Sequence, residues 1–191
     1  MSIRILAVSG SSRRDSLNQK LLDVAVVGAR SAGAEVTPIR FADYPLPLYD
    51  GDLEAEYGLP EGAHALQALV EKHHAILIAT PEYNGGYTAL LKNAIDWISR
   101  PRIDDSSGAA LLTGKVAALV SASPGQLGGV RSQTGMRAVL DKLGMVVIPE
   151  SVALSHAHQA FDVEGKLKDE NVERMVSGVG AALYRTAARL A

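Results

Sequence analysis

The chain contains no cysteine among its 191 residues. Disulfide bonds, iron–sulfur clusters, thiolate zinc sites and thiol catalysis are therefore excluded. An excess of one charge is missing too, since 19 Lys and Arg residues face 21 Asp and Glu residues, for a net charge of -2. Because nucleic acids and anionic membranes attract strongly basic surfaces, this balance predicts neither as a partner.

Long apolar segments are also missing, and a helix that spans a membrane needs about 18 or more consecutive apolar residues. The first apolar run, Ile5 to Val8, ends at a polar segment that contains Arg13 and Arg14. A signal peptide needs an apolar run of roughly 7–15 residues. We therefore expect a cytoplasmic protein that has no membrane partner.

The composition that remains is typical of a globular protein, with 47% hydrophobic and 21% charged residues. The length predicts one domain, over residues 1–191. Continuous apolar runs at 5–8, 75–79, 116–120 and 145–148 predict strands that are buried on both faces. Helical stripes, with apolar residues three and four positions apart, alternate with these runs. The pattern predicts an α/β sandwich with a five-stranded parallel sheet.

The remaining predicted strand, at 35–40, contains Pro38, which cannot donate a hydrogen bond to a neighbouring strand. This favours the flavodoxin-like strand order 2-1-3-4-5, where the second strand lies at an edge, over the dinucleotide-binding order 3-2-1-4-5-6. The segment from Phe41 to Gly62 is rich in proline and glycine, and we predict an irregular active-site loop there.

Ligands of such sheets bind beyond the carboxyl ends of the strands. The first loop, residues 9–18, brings hydroxyl groups, backbone N–H groups and a helix N-terminus together. Arg13 and Arg14 add the positive charge that a phosphate attracts. The alternative is a plain helix cap, with Ser16 as the capping residue and Gln19 at the capping-box position. The anion site is favoured, because a cap does not require two arginines.

Two further loops have unusual compositions. The second loop, residues 80–87, contains Asn84, Gly85 and Gly86, which permit positive φ angles and outward-facing N–H groups next to Tyr83. The third loop, residues 121–131, has small residues that allow a planar ligand to approach the backbone. A plain turn and a flexible connector are the respective alternatives.

Together the loops resemble the NAD(P)H-dependent FMN reductase family, which includes chromate, quinone and azo-dye reductases. The resemblance is carried by residues 10–18, 81–85, 91–97 and 128–131. It implies a flavodoxin-like three-layer sandwich that binds FMN and uses NADPH or NADH as co-substrate. Hydride would pass to FMN and then to a quinone, azo, flavin or chromate-type acceptor, with no catalytic acid or base of the protein.

The resemblance also implies where FMN binds: the phosphate at the first loop, the isoalloxazine ring at the second, mainly through main-chain atoms, and the ring or ribityl chain at the third. The implied cofactor-binding residues are Ser11, Arg13, Ser16, Leu17, Asn18, Pro81, Glu82, Tyr83, Asn84, Gly85, Ser121 and Ser123. The histidines lack the regular spacing with carboxylates that a metal site requires, so we expect no metal.

Several alternatives stay open at this point. A flavodoxin-like electron carrier and a non-redox phosphate-binding module use the same three-loop geometry. Arg100 and Arg102 are candidates for binding the 2′-phosphate of NADPH. Trp97 is expected in the core or at a subunit interface, and its apolar helix favours a homodimer or homotetramer. The electron acceptor and the choice between NADPH and NADH are not determined.

Overall fold

A computed structural model describes residues 2–191. Its five parallel strands form one sheet in the order β2-β1-β3-β4-β5, as predicted. The strands are β1 Arg4–Ser9, β2 Glu35–Ile39, β3 Ala75–Ala79, β4 Val116–Ala122 and β5 Val146–Leu154. The flavodoxin-like sandwich is confirmed, with β2 and its Pro38 at an edge.

Helices cover both faces of the sheet. They are α1 Leu17–Ser31, α2 Gly51–Tyr57, α3 Glu61–Lys72, α4 Ala89–Ile98, α5 Val130–Lys142, α6 Ala157–Ala160 and α7 Glu170–Leu190. Because successive strand residues face opposite sides, Ile5 and Ala7 pack towards α1 and α7, whereas Leu6 and Val8 pack towards α3, α4 and α5. Among residues 2–191, no helix has the length and apolarity needed to cross a membrane.

Strand β5 is longer than the predicted run at 145–148. Val147 pairs with Ala117 and Ser151 pairs with Leu119, so β5 has extra residues in a bulge between these two pairs. The bulge contains Pro149. Since a bulge interrupts the ladder, the missing N–H group of this proline costs no strand hydrogen bond, and the strand continues to Leu154.

The prediction of an irregular loop over Phe41–Gly62 was wrong for much of that segment. A 3-10 turn forms at Phe41–Asp43, and α2 follows at Gly51–Tyr57. Asp50 caps α2, since its carboxylate accepts hydrogen bonds from the backbone N–H groups of the first turn. No residue of α2 is buried, so the helix has no buried apolar stripe that would have predicted it.

Helices α1 and α7 approach each other closely at two glycines. A Cβ atom on Gly28 would lie 2.0 Å from the backbone oxygen of Ser177, and one on Gly180 would lie 1.9 Å from that of Ala25. Each glycine thus permits a backbone contact that a side chain would prevent. This contact fixes α1, the helix whose N-terminus follows the first loop.

We predict opposite effects of alanine at two glycines of α7. Gly180→Ala should lower the free energy of unfolding by about 1–3 kcal/mol, because the new methyl group overlaps the backbone of α1. Gly178→Ala, which has open space around its Cβ position, should raise it by about 0.5–1 kcal/mol through helix propensity. Urea unfolding of both variants and the parent measures the difference. Equal effects would show that the helices do not pack as described.

Candidate functional site

The three loops follow β1, β3 and β4, which are neighbours in the sheet, so their carboxyl ends lie together. The first loop is hydrogen-bonded to the residues that flank the second loop on either side. The N–H of Gly10 donates to the oxygen of Ala79 over 2.9 Å, and the Thr88 hydroxyl donates to the oxygen of Gly10 over 2.8 Å. A Cβ atom on Gly10 would lie 3.0–3.2 Å from Thr88, Leu91 and Pro81. Glycine is therefore the residue that this contact accommodates.

Asn18 connects the first loop to the end of β4. Its amide nitrogen donates to the oxygen of Ala122 over 2.8 Å, and its amide oxygen accepts from the N–H of Ala122 over 2.9 Å. The side chain is buried. These two bonds use the amide oxygen and one amide hydrogen, which leaves one hydrogen for a ligand. Asn18 therefore fixes the start of α1 relative to β4, and it does so without a ligand.

The first loop combines a helix cap with free hydrogen-bond donors. Ser16 is the capping residue, because its hydroxyl oxygen accepts from the N–H of Gln19 over 3.2 Å. The backbone N–H groups of Leu17 and Asn18 have no acceptor within the described residues. Such unpaired donors, at the positive end of the helix dipole, attract an anion. The two interpretations of this loop are therefore compatible.

The first loop also carries two positive side chains. Arg13 and Arg14 are exposed, and neither forms an ion pair within residues 2–191. The neighbouring Asp15 is compensated, since the Lys20 ammonium lies 2.6 Å from its carboxylate. This hydrogen bond and charge hold the pKa of Asp15 below its usual value. The two arginines thus keep their charge available for a phosphate.

The second loop forms a tight hairpin turn. Asn84 and Gly85 have φ angles of 52° and 81°, and paired hydrogen bonds of 2.9 and 3.0 Å join Tyr83 and Gly86. These values are typical of a type I′ turn, which Asn-Gly favours. The N–H groups of Asn84 and Gly85 have no acceptor in the described chain. The Tyr83 side chain is exposed.

Glu82 fixes the second loop to the start of α5. Its carboxylate pairs with the Arg131 guanidinium, with 2.7 Å to Nε, and also accepts from the Arg131 backbone N–H over 3.2 Å. The Glu82 side chain is only 8% exposed, whereas that of Arg131 is 58% exposed. The Glu82 carboxylate is therefore engaged within the chain and is not free to bind a ligand.

Ser121 does not line the loops as predicted. It is fully buried, its hydroxyl donates to the oxygen of Gly128 over 2.7 Å, and it accepts from the Gln133 amide over 2.7 Å. The Ser121 hydroxyl therefore supports the third loop from inside the protein and is not exposed to a ligand. Ser123 is half-buried and accepts from the N–H of Gly125, so it remains available at the surface.

A cleft of about 730 Å³ opens on the side of the first loop that faces β2. We call it the β2 cleft; it is bounded by Ser9, residues 11–14, Gln19, residues 38–46, Leu90 and Asn93. Sequence reasoning did not select Arg40 or Phe41 as site residues. Phe41 begins the segment in which an active-site loop was predicted, whereas Arg40 lies just before that segment and no sequence signal selected it.

Trp97, Arg100 and Arg102, near the end of α4, have contacts outside the three loops. Trp97 is buried and donates from Nε1 to the oxygen of Pro47 over 2.8 Å, which confirms its predicted place in the core. Arg100 lies over the ring of Tyr49, and Arg102 pairs with Glu71 at 2.9 Å. Arg100 and Arg102 do not border the β2 cleft.

Comparison with known proteins decides the family. A model described as NADPH-dependent FMN reductase matches residues 3–159. The chain belongs to this family. The NAD(P)H-dependent FMN reductase of Pseudomonas aeruginosa is 36% identical over 98% of this chain and 97% of its own length. The NAD(P)H:quinone oxidoreductase of Solanum tuberosum is 34% identical over 98% and 94%.

The structure is similar to that of another member of the flavoenzyme class. FerB from Paracoccus denitrificans, a flavoenzyme NAD(P)H:(acceptor) oxidoreductase, aligns with a TM-score of 0.79 and 30% identity over 98% of both chains. The FMN reductase family is thus confirmed by sequence and by fold. The protein is an NAD(P)H-dependent oxidoreductase that uses FMN and acts on small-molecule acceptors.

Asn18 offers a test of how the loops are held together. Asn18→Ala should lower the free energy of unfolding of the FMN-free protein by about 1–3 kcal/mol, because both polar groups of Ala122 lose their buried partner. Gln19→Ala is the control, since it removes only an exposed bond to Asp23 and should cost about 0.2–0.5 kcal/mol. Urea unfolding followed by circular dichroism gives both values. Similar losses in the two variants would contradict the role of Asn18.

Proposed function

We propose that residues 1–191 form a single FMN-binding domain in which the first loop binds the FMN phosphate and the second and third loops bind the isoalloxazine ring. The observation that carries this proposal is that the first loop contains both the unpaired charge of Arg13 and the free N–H groups of Leu17 and Asn18. A phosphate monoester requires this combination of donors and positive charge. The proposed phosphate ligands also include Ser11 and the hydroxyl of Ser16.

The second loop fits the ring of FMN. The exposed Tyr83 offers a flat apolar surface, and the free N–H groups of Asn84 and Gly85 can donate to the polar ring edge. Pro81 and Glu82 would contribute main-chain contacts, and Ser123 would border the ring from the third loop. Because Ser121 is buried, the proposed site omits its hydroxyl.

When bound, FMN supplies the two-electron chemistry that links NAD(P)H to the acceptor. The residues of this chain bind and orient it. The hairpin turn of the second loop is fixed by the Glu82–Arg131 pair, so its N–H groups stay in place to stabilise negative charge at the ring edge. The proposed site therefore requires no acid or base from a side chain.

We propose quinones as the class of acceptor. Three relatives are named as quinone oxidoreductases or quinone reductases and are 34–36% identical to this chain. The exposure of Tyr83 also favours a planar aromatic acceptor that reaches the ring from solvent. We place the reaction in the cytoplasm, where NAD(P)H is formed. Azo compounds, free flavin and chromate are the alternative acceptors.

A homodimer or homotetramer is proposed as the assembly. Most apolar side chains of α4, including Trp97, are buried within this chain, so α4 no longer supports an interface. Helix α2 is the better candidate for an interface. It buries no residue and exposes Leu53 and Tyr57, and the exposed Leu48 lies just before it. Light scattering on the purified protein measures the mass, and a monomer at every concentration would contradict the assembly.

Spectroscopy of the purified protein tests the function. We expect bound FMN to give visible absorbance bands, which bleach when NADPH or NADH is added without oxygen and return when a benzoquinone is added. A flavodoxin-like carrier would keep its colour in the presence of either nucleotide. Protein that stays colourless after incubation with FMN would contradict both the reductase and the electron-carrier hypotheses.

Arg13→Ala tests the phosphate site. The variant should bind FMN about 10- to 100-fold more weakly, which corresponds to about 1–3 kcal/mol for a charge-assisted contact. Its thermal stability without FMN should match that of the parent, since Arg13 has no ion pair in the described chain. Titration with FMN, followed by fluorescence quenching, gives the dissociation constants. Arg185→Ala, at an exposed position on α7, is the control; unchanged FMN affinity in the Arg13 variant would refute the assignment.

A further inference from the structure

The β2 cleft is strongly positive for a protein with a net charge of -2. Three arginines, Arg13, Arg14 and Arg40, border it, and Asp43 is the single carboxylate among its bordering residues. None of these four side chains forms an ion pair within residues 2–191. Unpaired arginines concentrated in one concave surface indicate an anionic ligand.

One phosphate does not account for this charge. In the proposed function, Arg13 and the N-terminus of α1 bind the phosphate of FMN. Arg14 and Arg40 then remain without a partner. A second phosphate monoester, which carries about two negative charges at neutral pH, matches the two remaining guanidinium groups.

The position of Arg40 places this second anion away from the flavin ring. Val8 pairs with Ile39, so Arg40 leaves β2 at the same level at which the first loop leaves β1. The ring is proposed at the loops that follow β3 and β4, on the other side of β1 in the sheet. A ligand in the β2 cleft therefore lies on the far side of the first loop from the ring.

The β2 cleft also has apolar walls. Phe41, Leu46 and Leu90 border it, and Tyr44 is half-buried beside them. A volume of about 730 Å³ falls within the range of nucleotide and cofactor sites. Apolar and aromatic walls next to two arginines suit a purine base with an attached phosphate.

We propose that Arg14 and Arg40 bind the 2′-phosphate of NADPH in the β2 cleft, and that the protein therefore selects NADPH over NADH. NADPH has a phosphate monoester at its adenosine end, where NADH has a hydroxyl group. Only this difference separates the two nucleotides, so a residue that binds the 2′-phosphate sets the preference. The inference rests on the proposed function, in which NAD(P)H reduces FMN at the second loop.

The earlier candidates for this role have other partners. Arg102 pairs with Glu71 at 2.9 Å, and Arg100 donates to the Tyr49 hydroxyl over 3.2 Å. A guanidinium that is already paired gains less from a new phosphate than one that is free. This favours Arg14 and Arg40 over Arg102, and Arg100 does not border the β2 cleft.

Two adenosine ligands that differ only in the 2′-phosphate test the proposal without turnover. Calorimetric titration of the FMN-loaded protein with 2′,5′-ADP and with 5′-AMP should show tighter binding of 2′,5′-ADP. In Arg40→Gln and Arg14→Gln, the affinity for 2′,5′-ADP should fall about 10-fold or more, while that for 5′-AMP changes less than about twofold. Arg185→Gln, on an exposed position of α7, is the matched control.

Steady-state kinetics supply the second measurement. The ratio of kcat/KM for NADPH to that for NADH should fall about 10-fold or more in the Arg40 and Arg14 variants and stay unchanged in the Arg185 variant. The fall should come from NADPH, with the NADH value nearly constant.

Three results would overturn the proposal: equal affinity of the parent for the two adenosine ligands, a parallel loss of both in the Arg40 variant, or release of FMN from that variant. Release of FMN would assign Arg40 to the flavin phosphate instead. Failure of the proposed function is separately visible, since the parent would then lack the flavin bands or keep them in the presence of both nucleotides.

Discussion

The site depends on the pair of hydrogen bonds between the Asn18 side chain and the main chain of Ala122. These bonds join segments that are 104 residues apart in the sequence. They are buried, where an unmade hydrogen bond is costly, and so they fix the start of α1 relative to the end of β4. On the β3 side, the hydrogen bonds of Gly10 with Ala79 and Thr88 hold the first loop next to the second loop. The direction of the free N–H groups in the first loop is thus fixed by side chains that face the protein interior.

The sheet and its order were predictable because they follow from strong local signals. Continuous apolar runs indicate strands that are buried on both faces. Pro38 in β2 favoured the strand order in which β2 lies at an edge. The end of β5 and helix α2 were not predictable in the same way. The bulge at Pro149 depends on pairing with β4, and α2 is formed by the Asp50 cap without an apolar stripe.

The sequence predicted that the three loops lie at one edge of the sheet, but not what each side chain contacts. The family resemblance implies Ser121 and Glu82 as site residues, but it does not show that the Ser121 hydroxyl is buried or that the Glu82 carboxylate pairs with Arg131. Such assignments depend on contacts between distant segments. The same limit applies to the arginines. The sequence does not show that Arg102 pairs with Glu71, or that Arg40 borders the β2 cleft without an ion pair.

The glycine contact between α1 and α7 gives the last part of the chain an influence on a site that it does not touch. The family model ends at residue 159, whereas α7 spans Glu170–Leu190 and packs against α1 at Gly28 and Gly180. A protein shortened to the matched segment would retain every proposed FMN ligand. It would lack the helix that packs against α1, so the backbone N–H groups proposed to bind the phosphate would lose their fixed direction.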